Sequence, residues 1–134
     1  MESMWFGYLG LLGVGLIWGI TNPLLEMGTL DVKNIKKVDT SSMSALGRVW
    51  HEISTVFLKI GFIIPFLVNQ AASPLYYYLL NFAPISVASP LANCTSFLAT
   101  FLFNSVVKKE KLDAQAYIGT LFVVAGIGLC VQNQ

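Results

Sequence analysis

The residues of this chain best suited to chemistry are amides and hydroxyls. Ser86, Ser89, Asn93, Ser96 and Thr100 recur at intervals of three, four, three and four, which places them on one face of a helix. Leu91, Phe97, Leu98 and Phe101 fall mostly on the other faces. Asn93-Cys94-Thr95 also spells an N-glycosylation acceptor, yet it lies within a run from Ile60 to Val107 that holds no charged side chain. Asn22, next to Pro23, and Asn69, Gln70 and Ser73, next to Pro74, offer matching polar positions elsewhere. Asn22, Asn69, Ser73 and the five-residue stripe are therefore the candidate groove. Such groups can hydrogen-bond the headgroup of a small amphiphile, or they can hold helices together, a use worth about 0.6 kcal/mol per pair in membrane proteins. Both readings stay open at this level.

Covalent or metal chemistry is not expected. The single histidine, His51, is far in sequence from Cys94, and there is no HExxH, CxxC, phosphate-binding glycine loop or pair of carboxylates. Cys94 and Cys130 sit in different apolar segments and read as small apolar residues. We expect no enzyme, no cofactor, no metal and no nucleic-acid partner. Asp, Glu, Lys, Arg and His are all missing from Met4–Leu25, Ile60–Val107 and Ala114–Gln134, so the groups that usually relay protons or couple ions at membrane depth are missing too.

The elements that must position the stripe follow from the same charge pattern. The chain has 134 residues, 55% hydrophobic and 11% charged, against about 25% charged in soluble domains. About 20 apolar residues span a hydrocarbon core about 30 Å thick. The first and last charge-free segments thus span once, and the middle one spans twice, turning at Asn81-Phe82-Ala83-Pro84, where Pro84 suits the first turn of a new helix. The expected fold is one all-helical transmembrane domain over residues 1–134, with spans at about 4–27, 60–80, 84–107 and 113–131. The first segment has no basic residue before it and is longer than a signal-peptide core, so it is expected to be retained.

All eight basic residues lie on one set of connections: Lys33, Lys36, Lys37, Arg48 and Lys59 before the second span, and Lys108, Lys109 and Lys111 between the third and fourth. The positive-inside rule makes these connections cytoplasmic and the termini lumenal or extracellular, in an endomembrane or the plasma membrane. Within the first connection, Leu46, Val49, Trp50, Ile53, Phe57 and Ile60 alternate with Arg48, His51, Glu52 and Lys59 at helical spacing. This amphipathic helix, over about 44–59, either lies in the interface or extends the second span. Gly15 and Gly19 form a GxxxG in the first span, and Gly119 and Gly126 mark the fourth; such small residues let helices approach closely. Tyr76-Tyr77-Tyr78, Trp5 and Tyr8 read as aromatic anchors at the membrane surface.

The stretch VVKKEKLDAQAYIGTLFVVAGIGLCV, with Glu110, Leu112, Gly119 and Gly126, resembles the end of the four-helix repeat of the drug/metabolite transporter superfamily. YYYLLNFAPISVASPLANCTSFLATFLF is similar to the passage between the second and third helices of that repeat. Taken with GLIWGITNPLL, the resemblance extends over nearly the whole chain and is close to the transmembrane protein 234 family. The resemblance implies half of a transporter-like unit, and hence a partner. Small multidrug members carry a proton- and substrate-binding glutamate in the first helix. The corresponding place here falls near Trp18, so proton-coupled drug export is not expected. The one-sided basic residues disfavour an antiparallel pair. The leading expectation is a non-enzymatic, transporter-like subunit that handles or accommodates lipid-like or neutral cargo in the bilayer beside another membrane protein. The alternatives are an autonomous transporter acting as a parallel homodimer, and a structural adaptor working through 44–59.

Overall fold

The computed structural model describes residues 2–34, 44–109 and 113–132. They form α1 (Glu2–Asn34), α2 (Ala45–Phe57), α3 (Ile60–Leu79), α4 (Ile85–Val106) and α5 (Ala114–Gln132), with no strand among the described residues. Lys36, Lys37, Glu110, Lys111 and Leu112 lie outside them, as does the side chain of Cys130.

Two of these helices are each long and apolar enough to cross a membrane, over Met4–Leu30 and Ile85–Val106. A third crossing is reached if α2 and α3, bent by 80° at their junction, are taken together, and the apolar part of α5, Ala114–Gly126, is shorter. The structure thus supplies two clear spans and up to three, where charge spacing predicts four. Composition accounts for part of the difference, because α3 carries Asn69, Gln70, Ser73, two prolines and three tyrosines that dilute its apolar character.

The first helix also outruns its expected end at Met27 and continues to Asn34. Glu26, the charge that suggested an end there, is met by the Nζ of Lys108 at 2.6 Å. Lys108, expected in an open loop, is only 11% exposed on its side chain. Glu26 is 55% exposed, so the pair is worth no more than about 0.2–1 kcal/mol. Pro84 is the N-cap of α4 and not part of its first turn; its carbonyl accepts from the N–H groups of Val87 and Ala88. Lys109 adopts a left-handed backbone (φ 52°) just beyond α4, a conformation that prevents the helix from continuing.

Among the described helices α1 is the hub. Both α3 and α4 pack along it, α5 packs on α4 alone, and α2 touches α1 and α3. Near the Asn81–Pro84 turn, Leu11 and Val14 of α1 are fully buried against Ala72 and Leu79 of α3 and Ala88 and Leu91 of α4. Phe82 closes that end between Phe6 and Tyr78, with ring centroids 5.5 Å from each.

Glycine makes the α1–α4 seam possible. A Cβ on Gly15 would lie 2.6 Å from the Ala92 carbonyl oxygen, and one on Gly19 would lie 2.4 Å from the Ala99 Cβ. On α5 a Cβ at Gly119 or Gly126 meets nothing within 4 Å in the single chain. Of the tyrosine triplet, Tyr77 and Tyr78 face outward, whereas Tyr76 turns inward and packs on Trp18 at 5.6 Å.

Candidate functional site

Because α3 and α4 both pack on α1 but not on each other, a cleft opens between them with α1 as its floor. It is an open groove of about 450 Å³, lined by Trp18 and Asn22 from α1, Asn69 and Ser73 from α3, and Asn93, Ser96, Phe97 and Thr100 from α4. That size lies in the usual range for small-molecule sites, about 300–1,000 Å³. Trp18, Asn69 and Ser96 each sit near the middle of their own helix, so the cleft lies at half-height in the bundle.

Several of its polar groups are already spent. The side-chain amide of Asn69 donates to the Thr21 hydroxyl at 2.7 Å and to Asn22 Oδ1 at 3.3 Å. The indole N–H of Trp18 donates to the Asn69 carbonyl at 3.2 Å. These bonds lace α1 to α3. On the other side, Thr100 donates its hydroxyl to the Gly19 carbonyl at 2.9 Å. Pro23, four residues on, has no N–H to offer that carbonyl, so a side chain from α4 supplies what the helix cannot.

What remains faces the cleft. The hydroxyls of Ser73 and Ser96 make no hydrogen bond to the rest of the described chain, and Asn93 uses only its Nδ2, on the hydroxyl of Ser89 at 3.3 Å. One turn beyond Thr100, and outside the cleft lining, Asn104 keeps its Oδ1 buried without a partner. Among the described residues, no ionisable side chain lines the cleft. Neutral donors and acceptors beside two aromatic rings suit an uncharged polar group carried on an apolar body, whereas a bare charge placed there would be strongly penalised.

Placement differs among the sequence candidates. Asn22, Asn69, Ser73, Asn93, Ser96 and Thr100 come together at the cleft. Ser89 contributes only through Asn93, and Ser86 is exposed near the turn, off the cleft. Phe97 was assigned to another face of its helix but lines the wall, because it follows Asn93 by one full turn. Trp18 was not among the candidates either; it lies one turn from Asn22, and that spacing was the available signal. Asn93 lies well inside the continuous helix α4, so glycosidase treatment should leave electrophoretic mobility unchanged, in wild type and in Asn93→Gln alike. A shift that disappears in the variant would place this helix outside the membrane.

Long apolar helices around a hub, with an uncharged polar cleft at half-height, define a helical integral membrane protein with an internal polar site. Residues 11–131 match the family described as "Putative transmembrane family 234", and the chain belongs to that family. It is 32% identical to the transmembrane protein 234 homolog of Dictyostelium discoideum over 96% of this chain and 97% of that one. Identity to the Anopheles gambiae homolog is 26%, over 93% and 86% respectively. No solved structure matches the chain.

Proposed function

We propose that this chain is a non-enzymatic, transporter-like protein of four spans whose cleft takes in the neutral polar part of a lipid-like molecule. The observation that carries this reading is the half-height cleft itself, with unspent hydroxyls at Ser73 and Ser96 and no charge in its lining. Its open side lies between two helices that do not meet, so a molecule already in the bilayer can enter without crossing water. In this reading the end carrying Lys59 and Lys108 is cytoplasmic, and the Asn81–Pro84 turn is lumenal or extracellular.

We further propose that it works as a subunit beside another membrane protein. Supporting this, α5 touches only α4 among the described helices, and Gly119 and Gly126 leave room on it for a close neighbour. A parallel homodimer would use the same surface.

The test is extraction with native lipid, followed by mass spectrometry of the copurified molecules and proteins. Ser73→Leu and Ser96→Leu should each reduce the enriched amphiphile about tenfold, the equivalent of about 1.4 kcal/mol, while Ser86→Leu, off the cleft, should not. Absence of any enriched neutral amphiphile, or equal recovery from all three variants, removes the cargo reading. Recovery of an isolated monomer under the gentlest extraction removes the subunit reading.

A further inference from the structure

The second helix has no role in the cleft, and it presents the most one-sided surface in the molecule. Leu46 is 85% exposed and Trp50 74%, and Val49 and Ile53 are exposed beside them. In helical projection these residues share one arc with Phe57, while Arg48, His51 and Thr55 fall on the opposite arc. Ser44 caps the start of the helix by accepting from the Gly47 N–H at 3.3 Å, so the segment is built as a helix of its own.

Two further observations state what covers this surface. Only Leu58 and Lys59 separate α2 from α3, and the two helices meet at 80°. On the four-span reading proposed above, α3 by itself stands across the bilayer, and the 80° bend then lays α2 nearly parallel to the membrane plane. The bend is buttressed by aromatic rings: Phe57 packs edge-on against Phe62 at 5.3 Å and Phe66 at 5.4 Å, and those two rings stack on each other at 5.7 Å. Phe62 and Phe66 belong to the first two turns of α3. Since Phe57 sits on the apolar arc of α2, this contact turns the whole arc toward the body of α3, not toward water. Ile60, Ile64, Leu67 and Val68 are exposed as well, on the side of α3 that faces away from Phe62 and Phe66.

We infer that α2 is an in-plane anchor whose Leu46–Val49–Trp50–Ile53 face binds the interfacial layer of the same bilayer that α3 crosses. A helix of this kind buries its apolar face about 5–10 Å into the boundary between headgroups and acyl chains. The anchor has a consequence for the cleft. It places Ile60 at the edge of the hydrocarbon, and Asn69, nine residues on, then lies about 13 to 14 Å deeper at the helical rise of 1.5 Å per residue, close to the midplane of a core about 30 Å thick. Holding α2 at the surface thus fixes the depth at which Asn69 and Ser73 stand, whatever the cleft accommodates.

Site-directed spin labelling of the full chain in lipid nanodiscs tests this. With Cys94 and Cys130 replaced by serine, labels at Val49 and Ile53 should collide several-fold more with oxygen, which concentrates in lipid, than with a water-soluble nickel chelate. Labels at His51 and Thr55 should show the reverse. Equal access to the chelate on both arcs overturns the inference, and so does shielding of Val49 and Ile53 from both agents, which would mean that protein covers them. A label at Leu67, on the outer face of α3, must give the lipid value if the variants are folded. A second measurement keeps the native cysteines: doxyl-labelled lipids should quench a tryptophan component that is lost in Trp50→Phe, and a shallow doxyl group should quench it more than a deep one. A Trp50 component indifferent to both lipids defeats the proposal.

Discussion

Gly19→Ala should destabilise the chain by about 1–3 kcal/mol, the usual cost of overpacking a filled interface, even though alanine favours helix over glycine by about 1 kcal/mol. The added methyl would lie 2.4 Å from the Ala99 Cβ and 2.5 Å from the Ser96 carbonyl oxygen. Neither atom is the end of a flexible side chain, so α1 and α4 must separate. Gly15→Ala should behave alike, against the Ala92 carbonyl oxygen at 2.6 Å. Gly119→Ala is the matched control, because its Cβ meets nothing within 4 Å in the single chain and only the propensity gain remains. Thermal unfolding of detergent-solubilised protein decides the matter: the first two variants should melt below wild type and the third at or above it. Equal shifts at Gly19 and Gly119 would contradict the α1–α4 seam. A loss at Gly119 seen only in native membranes would instead point to a neighbour on α5.

Thr100→Val keeps the shape of the side chain and removes one donor. The Gly19 carbonyl is already deprived of its helical partner by Pro23, so losing the Thr100 hydroxyl leaves it unpaired. An acceptor stranded in this way costs about 1–3 kcal/mol, more than the average of about 0.6 kcal/mol for interhelical bonds in membranes. The explanation makes a second demand. In a Pro23→Ala background the backbone N–H returns, Gly19 regains its own helical bond, and Thr100→Val should then cost little. The four-variant cycle should show a coupling of about 1 kcal/mol or more, read from unfolding in the same detergent. Strict additivity would mean that the hydroxyl does not serve the carbonyl that Pro23 frees.

These two sites show how far linear sequence reaches here. The GxxxG at Gly15 and Gly19 is visible in the chain, but nothing local says that α4 fills it while the glycines of α5 stand open. The stripe of Ser, Asn and Thr on α4 is equally visible, yet its members have separate fates: Thr100 completes the backbone of α1, Ser89 supports Asn93, Ser96 stays unspent in the cleft, and Ser86 points away. Residue types alone could not sort them, because a hydroxyl reads the same whether its partner is a carbonyl eighty-one residues away or a bound molecule.

Charge-free runs, the break before Pro84 and the apolar spacing of 44–59 determined that the chain is helical, membrane-embedded and amphipathic in its second helix, since helix formation and lipid burial depend on neighbours within a few turns. Tertiary structure decided that α1 is the hub, that α3 and α4 part to leave a cleft, that Trp18 and Phe97 line it, and that Lys108 finds Glu26. Those outcomes depend on which helix faces meet, and that is set by close-packed glycine seams and by carbonyls that proline frees across the bundle, not by the order of residues along any one helix.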